Sequence, residues 1–130
     1  MTNTEIIKGG YEAFSRGDVV DLFARFAPDI EWTSPSGSPR DLAGVYKGHG
    51  EVQSFFGKVL AAYGEHMAVR PLEFVESGDR VVAFGLLEAR SDSGHVVTLG
   101  FVHDWALADG KATRMTEYFD TAHWAALLAG

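Results

Sequence analysis

The chain has 130 residues, 46% of them hydrophobic, which suits one compact domain over residues 1–130. Its 18 acidic residues outnumber its 11 basic ones, and the net charge of −7 argues against a nucleic-acid partner. No cysteine is present, which excludes disulfides and cysteine-bound zinc. Since the amino terminus is polar and no apolar run approaches the roughly 20 residues that span a bilayer, we expect a cytoplasmic protein without membrane contact.

Two amphipathic helices are predicted at the start of the chain. The first begins at Thr4, and its apolar residues recur at helical spacing until the break at residues 16–18. A shorter helix follows, with apolar positions up to Phe26. A proline two residues later ends it, and the alternating residues 30–33 predict a short strand that turns Trp32 inward.

The middle and the end of the chain predict one more helix and a sheet. Residues 36–50 are rich in glycine, serine and proline, which is typical of an irregular loop or flap. A broad apolar stripe then predicts a third helix over residues 50–62. Four runs separated by short turns predict antiparallel strands at residues 65–75, 80–90, 95–108 and 111–121. Residues 122–130 predict a helical turn that closes the sheet or meets a partner chain.

This order of elements predicts an α+β fold. A curved antiparallel sheet wraps around three N-terminal helices and forms a cone with an apolar pocket. Small residues at Ala83, Gly85 and Ala89 are assigned to the outer face of the sheet. There they would allow close sheet-to-sheet contact, so we expect a homodimer through the outer sheet face.

The last two strands place one histidine and one glutamate in an otherwise apolar face. The inward series of the first of these strands includes Phe101 and His103. A three-residue loop around Asp109-Gly110 pairs His103 with Met115 and Phe101 with Glu117. In that register Glu117 lies diagonally from His103, within reach of its ring.

A second register remains open at the same turn. A two-residue loop pairs His103 with Thr116 and turns Glu117 outward. The first register is preferred because it buries Met115 and Phe119 on the same face as Glu117.

The predicted pair has a chemical meaning. His103 is a candidate general acid or base, or a donor to a ligand carbonyl, with Glu117 holding its tautomer and orientation. A structural core histidine and a solvent-exposed glutamate are the alternatives. Candidate ligand-binding residues are Tyr11, Trp32, Phe56, Phe84, Phe101, Trp105, Met115 and Phe119. The other histidines are scattered, so we expect no metal site and no cofactor.

Three segments and the order of elements resemble a known family. The segments FSRGDVVDLFARFAPDIEW, YKGHGEVQSFF and HDWALADGKATRMTEYFDTA are similar to the SnoaL-like, ketosteroid-isomerase-related family of the nuclear transport factor 2-like superfamily. The resemblance covers nearly the whole chain. It implies a conical fold, an apolar pocket, frequent homodimers and chemistry that differs between members.

Site residues carry over from that family only in part. Ketosteroid isomerases have an aspartate base before a proline at the end of the first strand, where this chain has Ser34. Their oxyanion-stabilising aspartate aligns with His103, and their helix-one tyrosine lies within one residue of Tyr11. The triad of limonene epoxide hydrolases aligns with Arg80, Val82 and Glu117, so its middle carboxylate is absent.

These features predict a protein that binds a small apolar ligand. The first hypothesis is a cofactor-independent isomerase, cyclase or dehydratase that acts on an apolar carbonyl or polyketide-like compound, with His103 and Glu117 exchanging the proton. The second is a non-catalytic binding module in which the same pair orients a ligand. The third is a dimeric interaction module whose cavity is filled by side chains. Loss of the known bases at Ser34 and Val82 favours the second, and the histidine-glutamate pair favours the first.

Overall fold

Helices come first in this protein and a meandering sheet follows. The computed structural model describes residues 1–130. The elements are α1 (Asn3–Arg16), α2 (Val19–Ala24), β1 (Phe26–Ser34), β2 (Gly44–Lys47), α3 (Gly48–Tyr63), a 3-10 turn (Gly64–His66), β3 (Ala68–Ser77), β4 (Arg80–Arg90), β5 (Val96–Ala108), β6 (Lys111–Tyr118) and α4 (Thr121–Ala129). None of the helices combines the length and the apolar character that crossing a membrane requires.

The sheet has six strands in the order β2-β1-β6-β5-β4-β3. Neighbouring strands run antiparallel except β1 and β6, which are parallel. The predicted α+β class, with a curved sheet and three N-terminal helices, is confirmed. The parallel pair is an addition to the antiparallel sheet that was expected, and it brings Trp32 of β1 beside Met115 of β6.

Helix α1 has clear signals at both ends. The Thr2 hydroxyl accepts a hydrogen bond from the Glu5 N–H at 3.1 Å, and the Glu5 carboxylate accepts one from the Thr2 N–H at 3.0 Å. This capping box starts the helix. Gly17 ends it with a left-handed φ of 72°. The helix therefore has a defined register, and its inner face presents Tyr11 to the sheet.

Two predicted elements differ from the structure in the first half of the chain. Phe26 opens β1 instead of ending the second helix, because its backbone pairs with Ala112 of β6 and its ring is buried. The predicted loop over residues 36–50 contains β2, which pairs with the end of β1 from Glu31 to Ser34. Tertiary pairing has overridden the local signals in both places.

The assignment of faces in β4 was wrong. Ala83 and Ala89 are fully buried on the inner face, and Gly85 faces the same side. A Cβ on Gly85 would collide with the carbonyl oxygen of Arg70 and lie 2.7 Å from the Phe101 ring. The small residues therefore make room for the core, and Phe84 points outward with 39% of its surface exposed.

The β5-β6 hairpin follows neither of the predicted registers. Its turn has two residues, Asp109 and Gly110, both with positive φ as a type I′ turn requires. One residue later the ladder slips, and Thr113 becomes the extra residue of a β-bulge. The slip restores the inward direction of Glu117 and places it directly opposite His103.

Candidate active site

The interior of the cone contains a cavity of about 90 Å³ between the helices and the sheet. Most of its lining is apolar. Seven predicted site residues line it: Tyr11, Trp32, Phe56, His103, Trp105, Glu117 and Phe119. Three predicted ligand contacts do not. Phe101 and Met115 are buried outside the lining, and Phe84 lies on the outer face of the sheet.

His103 and Glu117 form a buried pair across β5 and β6. His103 Nε2 lies 2.8 Å from Glu117 Oε2, and the two side chains are 6% and 13% exposed. The Phe101 ring packs against the imidazole with 4.1 Å between centroids. Since Phe101 occupies the space left free by Gly85, the small residue of β4 supports the position of His103.

Helix α1 completes a hydrogen-bond chain behind the histidine. The Tyr11 hydroxyl lies 2.6 Å from His103 Nδ1, and the Trp105 indole N–H donates to the Tyr11 oxygen at 3.0 Å. Tyr11 therefore joins two residues of β5 that are neighbours on its inner face. Both nitrogens of the His103 ring are bonded to protein groups.

The donors and acceptors of this chain define the tautomer of His103. The Trp105 indole can only donate, so His103 Nδ1 is the one acceptor available to the buried Tyr11 O–H, which donates to it. The proton on the ring is then at Nε2, where it donates to the Glu117 carboxylate. Burial raises the pKa of Tyr11, an effect opposed by the Trp105 hydrogen bond and reinforced by the charge of Glu117. Tyr11 is therefore held as a proton donor.

Glu117 keeps one oxygen free. Its Oε2 is bonded to His103, whereas Oε1 makes no hydrogen bond within the protein. The side chain lines the cavity, so the free oxygen is available to a ligand. A carboxylate with one oxygen held by an imidazole N–H and the other facing an apolar cavity can accept a proton from a bound molecule.

Two buried polar groups near the pair have no partner in the protein. They are the indole N–H of Trp32 and the hydroxyl of Ser34, both on the inner face of β1 and both lining the cavity. Leaving such a group unpaired costs about 1–3 kcal/mol. The sequence interpretation counted Trp32 among the ligand contacts but did not count Ser34. Its only signal was its position before Pro35, where the resemblance implies a base.

The residues that align with the triad of limonene epoxide hydrolases do not come together in this fold. Arg80 and Val82 point to the outer face of β4, where the Arg80 guanidinium pairs with Asp104 at 2.6 Å. Glu117 is on the inner face of the sheet. The aligned positions therefore lie on opposite sides of the sheet and form no common site.

Helix α4 closes one side of the cavity. Trp124 is 1% exposed, lines the cavity and donates its indole N–H to the Tyr63 hydroxyl at 3.1 Å. A second, more open groove of about 370 Å³ adjoins the cavity on the helical side. The residues shared by both linings, which form the wall between them, are Phe14, Leu22, Phe56, Val59 and Met67.

Comparison with known proteins gives consistent matches over most of the chain. Residues 7–115 match the model of the SnoaL-like domain. Uncharacterized proteins of Mycobacterium tuberculosis and Mycobacterium bovis are 31% identical over 116 residues, which cover 88% of this chain and 86% of theirs. TerC, whose crystal structure was obtained with polyporic acid, is 40% identical with a TM-score of 0.91 over 98% of both chains. An NTF2-like protein of unknown function from Burkholderia pseudomallei is 37% identical with a TM-score of 0.90 over the full length of both.

Proposed function

The chain belongs to the SnoaL-like domain family, and we propose that it is a cofactor-independent acid/base enzyme, an isomerase, cyclase or dehydratase of a small apolar carbonyl or polyketide-like compound. The observation that carries this proposal is the Glu117 carboxylate: its Oε2 is bonded to His103, its Oε1 has no partner in the protein, and its side chain lines an apolar cavity. A carboxylate in that position is poised for proton transfer and has no other structural partner.

The three reactions share one first step. Glu117 Oε1 takes a proton from the carbon next to the ligand carbonyl, and the electron pair of that C–H bond moves to the carbonyl oxygen to give an enolate. Return of the proton to a different carbon completes an isomerisation. Attack of the enolate carbon on a second carbonyl closes a ring, and the resulting alkoxide takes the proton back from Glu117. Expulsion of a β-hydroxyl group, which takes the same proton from Glu117 and leaves as water, gives dehydration. Positioned proton transfer of this kind contributes about 10²- to 10⁴-fold to the rate.

His103 acts through Glu117 in this scheme. Both ring nitrogens are engaged, Nδ1 by Tyr11 and Nε2 by Glu117, so the imidazole has no free nitrogen for a hydrogen bond to the ligand. It orients the carboxylate and directs Oε1 into the cavity. We therefore assign Glu117 as the catalytic residue and His103 as its positioning residue, which refines the exchange between two equal partners that the sequence suggested.

The relative TerC supports a small-molecule ligand. Its structure was obtained with polyporic acid, and its fold superposes on nearly all of this chain. We propose that the ligand of the present protein occupies the cavity beside Glu117. The cavity volume of about 90 Å³ is small for a drug-sized ligand, so the proposed ligand is compact or enters with movement of the wall toward the adjoining groove.

Acetophenone tests the proton-transfer step. It is a small aromatic ketone whose methyl protons lie next to the carbonyl, and their exchange in D₂O can be followed by ¹H NMR. We expect exchange well above the buffer rate with the wild-type protein and loss of at least about 10²-fold with Glu117→Gln. Binding of acetophenone, followed by ligand-observed NMR, should persist in that variant because the two side chains have the same shape.

Controls separate catalysis from binding. Glu73→Gln removes an exposed carboxylate of β3 and should leave the exchange rate unchanged. Polyporic acid added as a competitor should slow the exchange if both compounds use this cavity. If acetophenone binds to the wild-type protein but exchanges no faster than in buffer, the protein is better described as a non-catalytic binding module than as an enzyme.

We also propose that the partner at the outer sheet face is a second copy of the chain. Phe84, Val102 and Tyr118 lie in one row across β4, β5 and β6, and Phe84 and Tyr118 are 39% and 53% exposed. A row of apolar side chains on an exposed sheet is typical of an interface.

The cytoplasmic location stays a prediction.

A further inference from the structure

Two hydrogen-bond donors on β1 are buried in the cavity wall without a partner. The indole of Trp32 lies among the rings of Phe26, Phe55, Phe56 and Trp105, with centroids 5.3–5.8 Å away. None of these neighbours accepts its N–H. Ser34 is 2% exposed, and its hydroxyl also lacks a partner. They are the only buried side-chain polar atoms of the protein left unpaired, and both belong to the same cavity.

Strand pairing places these donors next to the proposed base. Thr33 of β1 pairs with Thr116 of β6 in the parallel ladder, so the next residues on the two strands, Ser34 and Glu117, are neighbours on the inner face. Trp32 precedes Ser34 on that face, beside Met115. Both donors therefore lie on the strand next to that of Glu117, on the same face of the sheet.

Buried donors without partners indicate what the ligand must supply. Native proteins pair nearly all buried polar groups, and a group left unpaired in a cavity calls for an acceptor from outside the chain. An N–H and an O–H in the wall of one cavity suit an oxygen that carries negative charge, as the oxygen of an enolate does. An amine or other cationic group could use only the Ser34 oxygen as an acceptor and would leave the Trp32 N–H unpaired.

We propose that Trp32 Nε1 and Ser34 Oγ form the oxygen-binding subsite of the cavity, which receives the carbonyl oxygen of the ligand and stabilises it as an enolate. This inference rests on the proposed function and deepens it, since it names the ligand group that accompanies the proton taken by Glu117. It also offers a chemical reason for the serine at residue 34, where ketosteroid isomerases have an aspartate. Ser34 supplies a donor at the position where the resemblance implies the base, and the carboxylate of Glu117 lies on the adjacent strand.

A matched pair of ligands isolates the oxygen contact. Acetophenone and α-methylstyrene have nearly the same shape, but only the ketone offers an acceptor. We expect the wild-type protein to bind acetophenone more tightly than α-methylstyrene, once the two affinities are corrected for the partition of each compound into an apolar solvent. Ser34→Ala and Trp32→Phe should each weaken acetophenone binding by about 3- to 10-fold and leave α-methylstyrene binding within about 2-fold.

Carbonyl-labelled acetophenone gives a direct spectroscopic readout. The ¹³C resonance of its carbonyl group moves downfield when the oxygen accepts hydrogen bonds. It should therefore move upfield on going from the wild-type complex to the Ser34→Ala and Trp32→Phe complexes. Thr33→Ala, which removes an outward hydroxyl from the same strand, serves as the control and should keep the wild-type resonance. The unfolding temperature of Ser34→Ala should not be lower than that of the wild type, because the hydroxyl it removes has no partner.

The readouts distinguish this proposal from the previous one. A carbonyl resonance that is the same in the wild type and in both variants, with unchanged preference between the two ligands, would overturn the subsite. Loss of proton exchange in Glu117→Gln supports both proposals if acetophenone bound to this variant keeps the carbonyl resonance of the wild-type complex. A shifted resonance without any proton exchange in the wild-type protein supports the subsite and overturns the acid/base reaction.

Discussion

At the scale of single residues, Tyr11 is the side chain that connects the helices to the chemistry of the sheet. Its hydroxyl accepts from Trp105 and donates to His103, so one atom orders three side chains. The sequence interpretation paired His103 with Glu117 and named Tyr11 and Trp105 only as ligand contacts. It could not join Tyr11 to the pair, because the contact between α1 and β5 depends on how the helix packs and leaves no local signal.

The raised pKa of Tyr11 predicts how stability depends on pH. Burial keeps the folded-state pKa above the unfolded value of 10.0. Below pH 10 both states are protonated, and this group adds no pH dependence. As pH rises above 10, tyrosine ionises in the unfolded chain first, so the free energy of unfolding falls by roughly 1.4 kcal/mol per pH unit until the folded-state pKa is reached.

Tyr11→Phe tests that linkage. It should cost about 1–3 kcal/mol at pH 7, because the Trp105 N–H and His103 Nδ1 lose their common partner. Above pH 10 its free energy of unfolding should fall less steeply than that of the wild type, as measured by urea denaturation at a series of pH values. Parallel curves for the two proteins above pH 10 would show that Tyr11 is not held protonated.

At the scale of elements, the β5-β6 hairpin explains why His103 and Glu117, which are 14 positions apart, meet. Alternation along β5 was readable from the sequence and correctly turned His103 inward. Glu117 also faces inward, but through a two-residue Asp109-Gly110 turn and a bulge instead of the predicted three-residue loop. The register was not readable, because the bulge at Thr113 moves the pairing by one residue after the turn has set it. The face of β4 was misassigned for a related reason. Its run of apolar residues fits either face, and only the lack of space for a Cβ at Gly85 decides between them.

Deletion of Thr113 tests the role of the bulge. Without the extra residue, the two-residue turn by itself pairs Ala106 with Arg114 and His103 with Glu117, so Glu117 stays on the inner face. We expect the variant to keep the proton-exchange activity and the imidazole N–H signal of the buried pair in the ¹H–¹⁵N spectrum. A deletion variant that folds but exchanges no faster than Glu117→Gln would show that the bulge positions Glu117 in a way that the register alone does not.

Thr113→Val is the matched control for that deletion. The substitution keeps the residue count and the β-branched shape, and it removes only the hydroxyl that donates to the Ala106 carbonyl at 3.2 Å. Its stability should fall by about 0.5–1.5 kcal/mol in thermal or urea unfolding, and its exchange activity should remain. The comparison separates the register of the strand from its stability.

The whole molecule supplies what neither residues nor elements determine alone. Strand β1 is distant in sequence from β6, yet it lies parallel beside it and brings Ser34 next to Glu117. Pairing between distant segments cannot be read from periodicity, so the sequence indicated Trp32 as a ligand contact but did not show that Trp32 and Ser34 are unpaired on the strand next to Glu117. The helices, the curved sheet and part of the apolar lining were predictable because their side chains recur with helical or strand spacing.

The outer face of the sheet carries the prediction that belongs to the assembly. In an isologous dimer the same row, Phe84, Val102 and Tyr118, is buried on both copies, so a charge at Phe84 is introduced twice. Phe84→Glu should therefore weaken the dimer by about 2 kcal/mol or more. Sedimentation equilibrium should give twice the chain mass of 14.1 kDa for the wild type and the single mass for the variant.

Val20→Glu provides the comparison at equal charge. Val20 is 83% exposed on α2, away from the sheet, and the same substitution there should leave the dimer intact. Circular dichroism should show the same fold for both variants, because neither residue is in the core. A wild-type mass of 14.1 kDa at all concentrations would contradict a homodimer. Dissociation by Val20→Glu but not by Phe84→Glu would move the interface from the sheet to the helices.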